Sequence, residues 1–253
     1  MKFNLQKMKE LFNKNSFTGP HQEIFDELVE ITEYFFTLEE LDLKIPFRGF
    51  LLNGKPASGK TEIVKQLAYK VAKKLKPANI RVELIFVNSS DISSGQVGGA
   101  EQKLAGIFNQ EDQETKYIIF FDDIDCIFLN RNSKKSQNGL MEGWLYRINS
   151  TLFHELDMID PRRIIFVATS NIIKMVDNAL ETRLYRFDVP KFTRAQLLTI
   201  MKKRIPRALE GKEELITLVK QELESTEHPN IRYLESLITR FFIKEIKNRE
   251  NRE

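Results

Sequence analysis

The amino-acid sequence predicts an α/β fold in which a parallel five-stranded sheet is sandwiched by helices and followed by a small all-helical C-terminal lid domain. Five short apolar runs are typical of buried strands, and helical patterns separate them. Such alternation is typical of a parallel sheet that is covered on both faces. After Pro190 only helical spacing continues. We therefore predict a core domain at residues 1–190, with residues 1–16 as a leading segment, and a helical lid domain at residues 191–253.

The predicted elements follow one another in a regular order. An amphipathic pattern at residues 22–38 predicts the first helix, and Pro20 before it is acceptable at a helix start. The helix after the first strand is predicted at residues 61–75. The predicted strands are residues 47–53, 81–88, 117–122, 163–170 and 185–190. The helical patterns after the last strand are residues 194–209, 212–226 and 232–248.

Composition limits the classes of protein to consider. With 42% hydrophobic and 30% charged residues, the chain is typical of globular proteins, which excludes disordered and fibrous classes. The formal net charge of +3, against 39 basic and 36 acidic side chains, requires neither nucleic acid nor an anionic membrane as a partner. A local basic face stays open as an alternative.

Two observations concern the cellular compartment. The N-terminal stretch has no apolar signal segment and no run is long enough to span a bilayer, so we expect a cytoplasmic protein without membrane contact. Cys126 is the only cysteine, which excludes an intrachain disulfide and agrees with a reducing compartment. Its apolar neighbours favour a buried, unreactive thiol.

The stretch GKPASGKT, residues 54–61, fits the phosphate-binding pattern G-x-x-x-x-G-K-[ST]. In this pattern backbone N–H groups bind phosphate oxygens, the lysine reaches the β and γ phosphates, and the final hydroxyl binds Mg²⁺. The flanking strand and helix place the phosphate at a helix N-terminus, although a turn that only joins the two elements is the alternative. The residues predicted to bind ATP here are Gly54, Lys55, Pro56, Ala57, Ser58, Gly59, Lys60, Thr61 and Glu62, with Thr61 as a Mg²⁺ ligand.

Two acidic residues follow the third predicted strand. Asp122 leaves this apolar run at the position that suits a second Mg²⁺ ligand. Asp123 is then the candidate that orients or polarises the attacking water. The alternative is a carboxylate pair that only keeps water near a strand end.

These motifs and several further segments resemble the AAA+ ATPases, and within them the AAA clade, over nearly the whole chain. The N-terminal stretch FTGPHQEIFDELVE is similar to the helix before the family's core, PFRGFLLNGKPASGKT to its Walker A region, YIIFFDDIDCIF to its Walker B strand and NSTLFHELD to its N-x-L-L-x-E-L-D helix. FVATSN is similar to the sensor 1 strand, with Asn171 as the sensor, and DNALETRLYRFD to the segment that carries the arginine fingers, here Arg183 and Arg186. The resemblance implies a P-loop NTPase fold, hydrolysis of ATP with Mg²⁺, and a homo-oligomeric ring, with a hexamer as the expected form.

Side-chain chemistry agrees with these roles. Asn171 follows a strand that should lie beside the Asp122 strand, so its amide can share a water with Asp123; the alternative is a helix N-cap. Arg183 and Arg186 carry planar, permanent charges that suit phosphoryl transfer, whereas the alternative is a solvated surface charge. The resemblance favours a finger that is donated to a neighbouring subunit.

A further arginine, Arg232, stands in the first turn of the last predicted helix. The stretch HPNIRYLESLITRF resembles the sensor 2 motif of AAA+ proteins, in which an arginine of the lid reaches the nucleotide of its own subunit. Many AAA-clade members lack this arginine, whereas the HORMA-remodelling ATPases, initiators and clamp loaders carry it. The alternative is a solvated charge opposite Glu235.

The chain departs from the family pattern at two positions. Asp123 stands where the family usually has a glutamate, which is one methylene longer, so slow hydrolysis or a nucleotide switch stays open. Residues 93–104 resemble the loop of the central pore, but Gln96 replaces the usual aromatic residue and leaves Val97 as the apolar contact. Threading of a polypeptide through a pore therefore stays open as well.

Two functions remain. The first is ATP-driven remodelling of an unidentified protein partner, which the AAA-clade segments favour. The second is a DNA-associated loader or a nucleotide-gated switch, which Arg232, the pore-loop departure and the basic runs at residues 130–137 and 202–207 favour. We rank remodelling first because runs of charge are usually solvated faces.

Overall fold

A computed structural model shows the α/β architecture that the sequence predicts, and it describes residues 1–12, 17–39, 47–92, 98–126, 139–204, 213–227 and 229–250. The strands are β1 (Lys2–Phe3), β2 (Gly49–Asn53), β3 (Arg81–Val87), β4 (Thr115–Phe121), β5 (Ile164–Ser170) and β6 (Tyr185–Asp188). The helices are α1 (Leu5–Phe12), α2 (Pro20–Thr37), α3 (Lys60–Leu75), α4 (Ser89–Ile92), α5 (Gly99–Phe108), α6 (Gly139–Met158), α7 (Asn178–Glu181), α8 (Arg194–Arg204), α9 (Glu213–Ser225) and α10 (Ile231–Glu250). None of these helices combines the length and the apolar character that a membrane crossing requires.

The sheet has the strand order β1-β3-β4-β5-β2-β6, and strands β2 to β6 are parallel to one another. Because parallel strands end at the same edge of a sheet, the residues that follow β2, β4 and β5 meet there. The phosphate-binding pattern follows β2, the acidic pair follows β4, and Asn171 follows β5. The topology therefore brings the three predicted motifs to one edge.

The prediction of five strands is correct for the parallel sheet but misses β1. This strand is antiparallel to β3, with Lys2 opposite Ile85 and Phe3 opposite Leu84. A strand of two residues has no periodic pattern that a sequence could reveal. The helix that follows it, α1, buries Met8 and packs on α3, so the leading segment contributes to the core.

Each face of the sheet packs against its own hydrophobic cluster. One cluster joins the sheet to α1, α2 and α3, and the other joins it to α5 and α6. Every residue of β5 is buried, which explains its continuous apolar sequence. At Gly49 a Cβ atom would lie 1.8 Å from the carbonyl oxygen of Phe166, so no side chain fits where β2 passes β5.

Helices α8, α9 and α10, which we call the lid, share a third cluster of buried residues. Its members include Phe192, which precedes α8, and Leu197, Leu215 and Leu234 from the three helices. The predicted boundary between residues 190 and 191 stays a prediction. The lid contacts the core directly, because the Gln196 side-chain nitrogen Nε2 donates to the carbonyl of Thr18, 2.8 Å away.

Candidate functional site

The predicted phosphate-binding loop connects β2 to α3 through two residues in the left-handed region. Ala57 has φ 61° and Gly59 has φ 93°. Gly59 is the N-cap of α3 and no side chain caps this end, so the first N–H groups of the helix and its positive partial charge face the loop. Gly54 is required as well, because a Cβ there would lie 2.4 Å from the carbonyl oxygen of Val189. Such a helix end suits a phosphate.

Lys60 is only 5% exposed and its ammonium group is surrounded by oxygen atoms. Its Nζ donates to the carbonyls of Gly54 at 2.8 Å and Lys55 at 3.2 Å. A third bond, of 2.8 Å, goes to Oδ1 of Asn171. Burial lowers the pKa of Lys60, while the carboxylates of Asp123, Asp122 and Asp125 act in the opposite direction and Arg232 lowers the pKa further.

Thr61 and Asp122 form a pair of oxygen donors beside Lys60. The Thr61 hydroxyl donates to Oδ1 of Asp122 at 2.9 Å. A hydroxyl and a carboxylate suit Mg²⁺, which takes oxygen ligands and usually keeps only one or two from the protein beside phosphate and water. The described residues contain no cluster of three or more His, Cys, Asp or Glu side chains that could hold a metal alone.

Asn171 links the loop lysine to the second acidic residue. While its Oδ1 accepts from Lys60, its Nδ2 donates to Oδ1 of Asp123, 2.7 Å away. A cation on one side and a carboxylate on the other fix which way the amide points. The structure brings Asn171 and Asp123 together in a direct hydrogen bond, and the water that they would share stays a prediction.

Thr169 belongs to the site and the sequence analysis missed it. Its hydroxyl donates to Oδ1 of Asp122 at 2.7 Å and accepts the backbone N–H of Asp123 at 2.9 Å. Asp123 has φ 51°, a strained value for a residue with a side chain, and this bond stabilises that turn. The sequence feature that could have identified Thr169 is its hydroxyl inside an apolar strand. It stands one residue after Ala168, which pairs with the last residue of β4.

Asp125 is a second residue that the sequence analysis did not single out. It is 7% exposed, and its Oδ2 and Oδ1 lie 3.3 Å and 3.4 Å from the backbone nitrogen of Asn171, which donates to them. The Asp125 carboxylate therefore stabilises the turn after β5, while Thr169 stabilises the turn after β4. Two neighbouring strand ends are held by side chains that do not themselves line the cleft.

The loop and the acidic residues open onto a cleft of about 450 Å³ between the core and the lid. Its polar side is formed by Lys60, Thr61, Asp122, Asp123 and Asn171. Its remaining walls include Pro56, Ala57, Gly59, Glu62 and Lys65 along the loop and α3, and the apolar side chains Phe17, Phe192, Ile200 and Ile231. A cleft lined by both polar and apolar side chains matches a ligand that joins phosphates to a flat ring.

Not every predicted residue lies in this cleft. Arg232 lies in it, as does Glu235, whose proximity keeps the solvated-pair interpretation of Arg232 open. Gly54, Lys55 and Ser58 support the loop from behind: two give carbonyls to Lys60, and the third places its carbonyl 3.1 Å from Nε2 of His21.

Arg183 and Arg186 lie outside the cleft of their own chain. Arg183 donates through Nε and Nη2 to the two carboxylate oxygens of Asp157, both at 2.8 Å, and its Nη1 donates to the carbonyl of Ala179. Arg186 binds a single oxygen, Oδ1 of Asp188, at 3.1 Å from Nε and 2.8 Å from Nη2.

Several predicted features lie outside the described residues. These are Gln96 and Val97 of the pore-like segment, the basic run at 130–137 and residues 205–207 of the second basic run, and the same holds for the side chain of Cys126. Lys202 and Lys203, at the end of α8, are exposed.

Comparison with known proteins gives a family match and a number of similar proteins, two of which follow. The model of the family described as ATPase family associated with various cellular activities (AAA) matches residues 50–194, more than half of the chain. An ATPase family AAA domain-containing protein of Arabidopsis thaliana is 31% identical over 215 residues, covering 76% of this chain and 17% of that protein. CD-NTase-associated protein 6 of Pseudomonas aeruginosa is 28% identical over 146 residues, covering 55% of this chain and 47% of that protein.

The chain therefore spans less than half the length of each of these relatives. Among solved structures, a chain of the E. coli MS115-1 HORMA:CdnC:Trip13 complex is similar, with a TM-score of 0.67 over 91% of this chain and 81% of that chain. The two are 15% identical in sequence, and at this level the similarity shows the fold alone.

We expect Lys60→Ala to weaken the binding of MgATP by about 10- to 100-fold, because one charge-assisted contact to phosphate is lost. Titration calorimetry would measure the affinity. Lys70→Ala, an exposed position on the same helix α3, is the matched control and should bind normally. Full affinity in the Lys60 variant would show that the loop does not bind phosphate.

We expect Thr169→Val to lower the rate of ATP turnover by about tenfold or more while ATP still binds, because misplaced reacting groups cost rate more than affinity. Thr169→Ser keeps the hydroxyl and should restore turnover. Thr199→Val, which removes an exposed hydroxyl on α8, is the control. Steady-state assays and binding measured separately would give both quantities, and equal turnover in the valine variant would remove this role.

Proposed function

The chain belongs to the AAA family of ATPases, and from this premise we propose that it is a Mg²⁺-dependent, oligomeric ATPase that couples ATP binding and hydrolysis to remodelling of a protein partner. One observation carries the proposal: Lys60, Thr61, Asp122, Asp123 and Asn171 converge on one side of a cleft that the lid closes on the other.

The residues divide the work of binding between them. The N-terminus of α3 and Lys60 take the phosphate groups, since both present positive charge to the loop. Thr61 and Asp122 would hold Mg²⁺, which when bound neutralises charge on the phosphate oxygens. Apolar residues that line the cleft, among them Phe17 and Ile231, would receive the base.

Asp123 is the residue that we assign to the attacking water. Its Oδ1 is held by Asn171, so the other carboxylate oxygen is the one available to accept a proton or a hydrogen bond from water. The aspartate reaches one methylene less far than a glutamate would. Since a displacement of about 1 Å can cost roughly 100-fold in rate, we propose that hydrolysis is slow.

The position of the two arginines supports the proposed assembly into an oligomer. Family members typically oligomerise and act on protein partners. An arginine outside its own cleft can serve the cleft of a neighbour, but it must first leave its present partners. Arg183 has a bidentate pair, a backbone carbonyl and the Phe153 ring, 5.2 Å from its guanidinium carbon, as partners. Arg186 has fewer and weaker contacts.

We therefore assign the finger to Arg186 and an interface role to Arg183. The pair between Arg186 and Asp188 uses one carboxylate oxygen, and the nearest oxygen of Glu181 is 3.7 Å away. These contacts are partly exposed, and exposed pairs contribute little stability. The ring, with a hexamer as its expected form, would place Arg186 against the nucleotide of the next subunit.

The partner class is supported by what relatives are named for. The Pseudomonas aeruginosa relative is named for association with a CD-NTase, and the E. coli chain of the same fold belongs to a HORMA:CdnC:Trip13 complex. We propose a folded protein client for this chain as well. Lid movement against the core would transmit the nucleotide state to the client.

A DNA-associated loader or nucleotide-gated switch is the second candidate. The placement of Arg232 in the cleft favours it, since initiators and clamp loaders carry such an arginine. The direct bond from Asn171 to Asp123 favours it too, because it restrains the group that we assign to the attacking water. Binding to DNA that requires ATP and weakens steeply with salt would favour this candidate. Stimulation of ATP hydrolysis by a folded protein, without DNA, would favour remodelling.

We expect Asp123→Asn to bind ATP but to lose turnover by about 100- to 10,000-fold, the usual contribution of a general base. Asp123→Glu should turn over at an equal or higher rate, because its carboxylate reaches farther. Phosphate release measured at saturating MgATP would test both variants. Asp26→Asn, on the exposed face of α2, is the control. Unchanged turnover in Asp123→Asn would assign the water to another group.

We expect Arg186→Ala to bind ATP and to turn over roughly 10³- to 10⁵-fold more slowly, the usual contribution of an arginine finger. Activity per subunit of the unmodified protein should rise with protein concentration. Mixing Arg186→Ala with Lys60→Ala subunits should restore part of the activity, because an intact loop of one subunit then meets an intact finger of the other.

The control for this experiment is Arg240→Ala, an exposed arginine of α10, which should be active without mixing. Arg183→Ala mixed with Lys60→Ala tests the assignment of roles. Loss of an interface residue should weaken assembly, so this mixture should recover little activity. Activity that does not depend on concentration, with no rescue in either mixture, would contradict the ring and leave a self-contained ATPase.

A further inference from the structure

The first turn of α2 carries a histidine that the ATPase chemistry does not use. His21 is fully buried, and its Nε2 lies 3.1 Å from the carbonyl oxygen of Ser58 in the phosphate-binding loop. Because a carbonyl only accepts hydrogen bonds, Nε2 carries the proton in this contact. This hydrogen bond connects α2 to the loop that precedes α3.

One face of the imidazole ring contacts the segment that leads into the lid. His21 stacks on Phe192 with ring centres 4.0 Å apart and an angle of 9° between the planes. Phe192 lies between β6 and α8 and belongs to the buried cluster of the lid. It also lines the nucleotide cleft. One rigid ring therefore contacts the loop through an N–H group and the lid through its face.

Gly59 of the phosphate-binding loop also lies close to these two rings. A Cβ atom at Gly59 would lie 3.0 Å from Cζ of Phe192 and 4.0 Å from Cδ2 of His21. Gly59 is thus closely packed on Phe192, which in turn stacks on His21. Close-packed groups cannot shift independently, so a displacement of the loop has to move one of the two rings.

Two other observations agree with a connection between the loop and the lid at His21. The segment before α2 binds the lid through the bond from Gln196 to the carbonyl of Thr18, at 2.8 Å. Burial lowers the pKa of His21, while the carbonyls of Ser58 and Pro190 act in the opposite direction, so the ring is neutral near pH 7. A neutral ring stacks on Phe192 and donates one N–H without carrying a buried charge.

We propose that His21 is a positioning residue that couples the phosphate-binding loop to the lid, through the carbonyl of Ser58 on one side and the ring of Phe192 on the other. This inference rests on the proposed binding of nucleotide in the cleft. When phosphates occupy the loop, Ser58 and Gly59 are fixed, His21 is fixed with them, and Phe192 then holds α8 in one position. Without His21 the loop still binds phosphate, but the lid no longer responds.

Two substitutions separate the two contacts of the ring. His21→Phe keeps an aromatic face against Phe192 and loses the N–H to Ser58, whereas His21→Gln keeps an N–H donor and loses the stack. His154→Gln, at an exposed histidine of α6, is the matched control. Thermal melts of all variants with a far-ultraviolet signal establish that each one is folded.

The position of the lid can be measured as a distance. Replacing Cys126 by Ser removes the only native thiol, and Lys70→Cys on α3 and Glu224→Cys on α9 then provide two exposed sites for spin labels. Pulsed electron resonance gives the distribution of distances with and without a non-hydrolysable ATP analogue and Mg²⁺. Titration of the same proteins gives the affinity for the analogue.

We expect the analogue to shift or narrow the distance distribution in the unmodified background and in His154→Gln. In both His21 variants the analogue should still bind, with an affinity lowered by about fivefold or more. Its binding should leave the distance distribution the same as without nucleotide. Phe192→Leu should have the same effect, and combining it with His21→Phe should add little, because both changes break the same link.

Three outcomes would overturn the inference. A lid response in both folded His21 variants equal to that of the control would do so, as would additive effects of the His21 and Phe192 changes, or an unmodified protein that binds the analogue without moving its lid. If a His21 variant does not fold, Phe192→Leu alone decides between a lost and a kept response. Absence of any nucleotide binding by the unmodified protein would instead contradict the proposed function, on which this inference rests.

Discussion

Lys60 is only 5% exposed, and a charge with so little contact with water would be costly without oxygen partners. The carbonyls of the loop supply two partners and Asn171 supplies the third. That requirement connects the end of β2 to the end of β5. Because Asn171 also holds Asp123, the end of β4 is drawn into the same arrangement. Three strand ends are thus positioned by the need to satisfy one cation.

The parts of the fold that depend on local pattern could be predicted from the sequence. The parallel strands appear as apolar runs because both faces of the sheet are covered, and the loop at residues 54–61 is recognisable because its glycines meet geometric demands that other residues fail. Strand β1 escaped prediction because two residues carry no period. The roles of the predicted site residues stay predictions, although the structure brings the loop, the acidic pair and Asn171 together.

The supporting residues were harder to predict for a physical reason. Thr169 acts through its position opposite the end of β4, which depends on the register of two strands that lie far apart in sequence. His21 acts through burial between a loop and the lid, and a single histidine in an amphipathic helix gives no sign of that. A sequence shows which residues have the chemistry to react; which residues hold them in place is decided by long-range contacts.

Strand β6 forms one edge of the sheet, and an open edge is a template for pairing with a strand of another chain. It is only four residues long, and Arg186 and Asp188 on it are charged and exposed. Short, charged edges resist such pairing. The guanidinium that we propose for the neighbouring nucleotide would thus also protect a free subunit against aggregation, so selection for solubility and selection for catalysis would act on the same side chain.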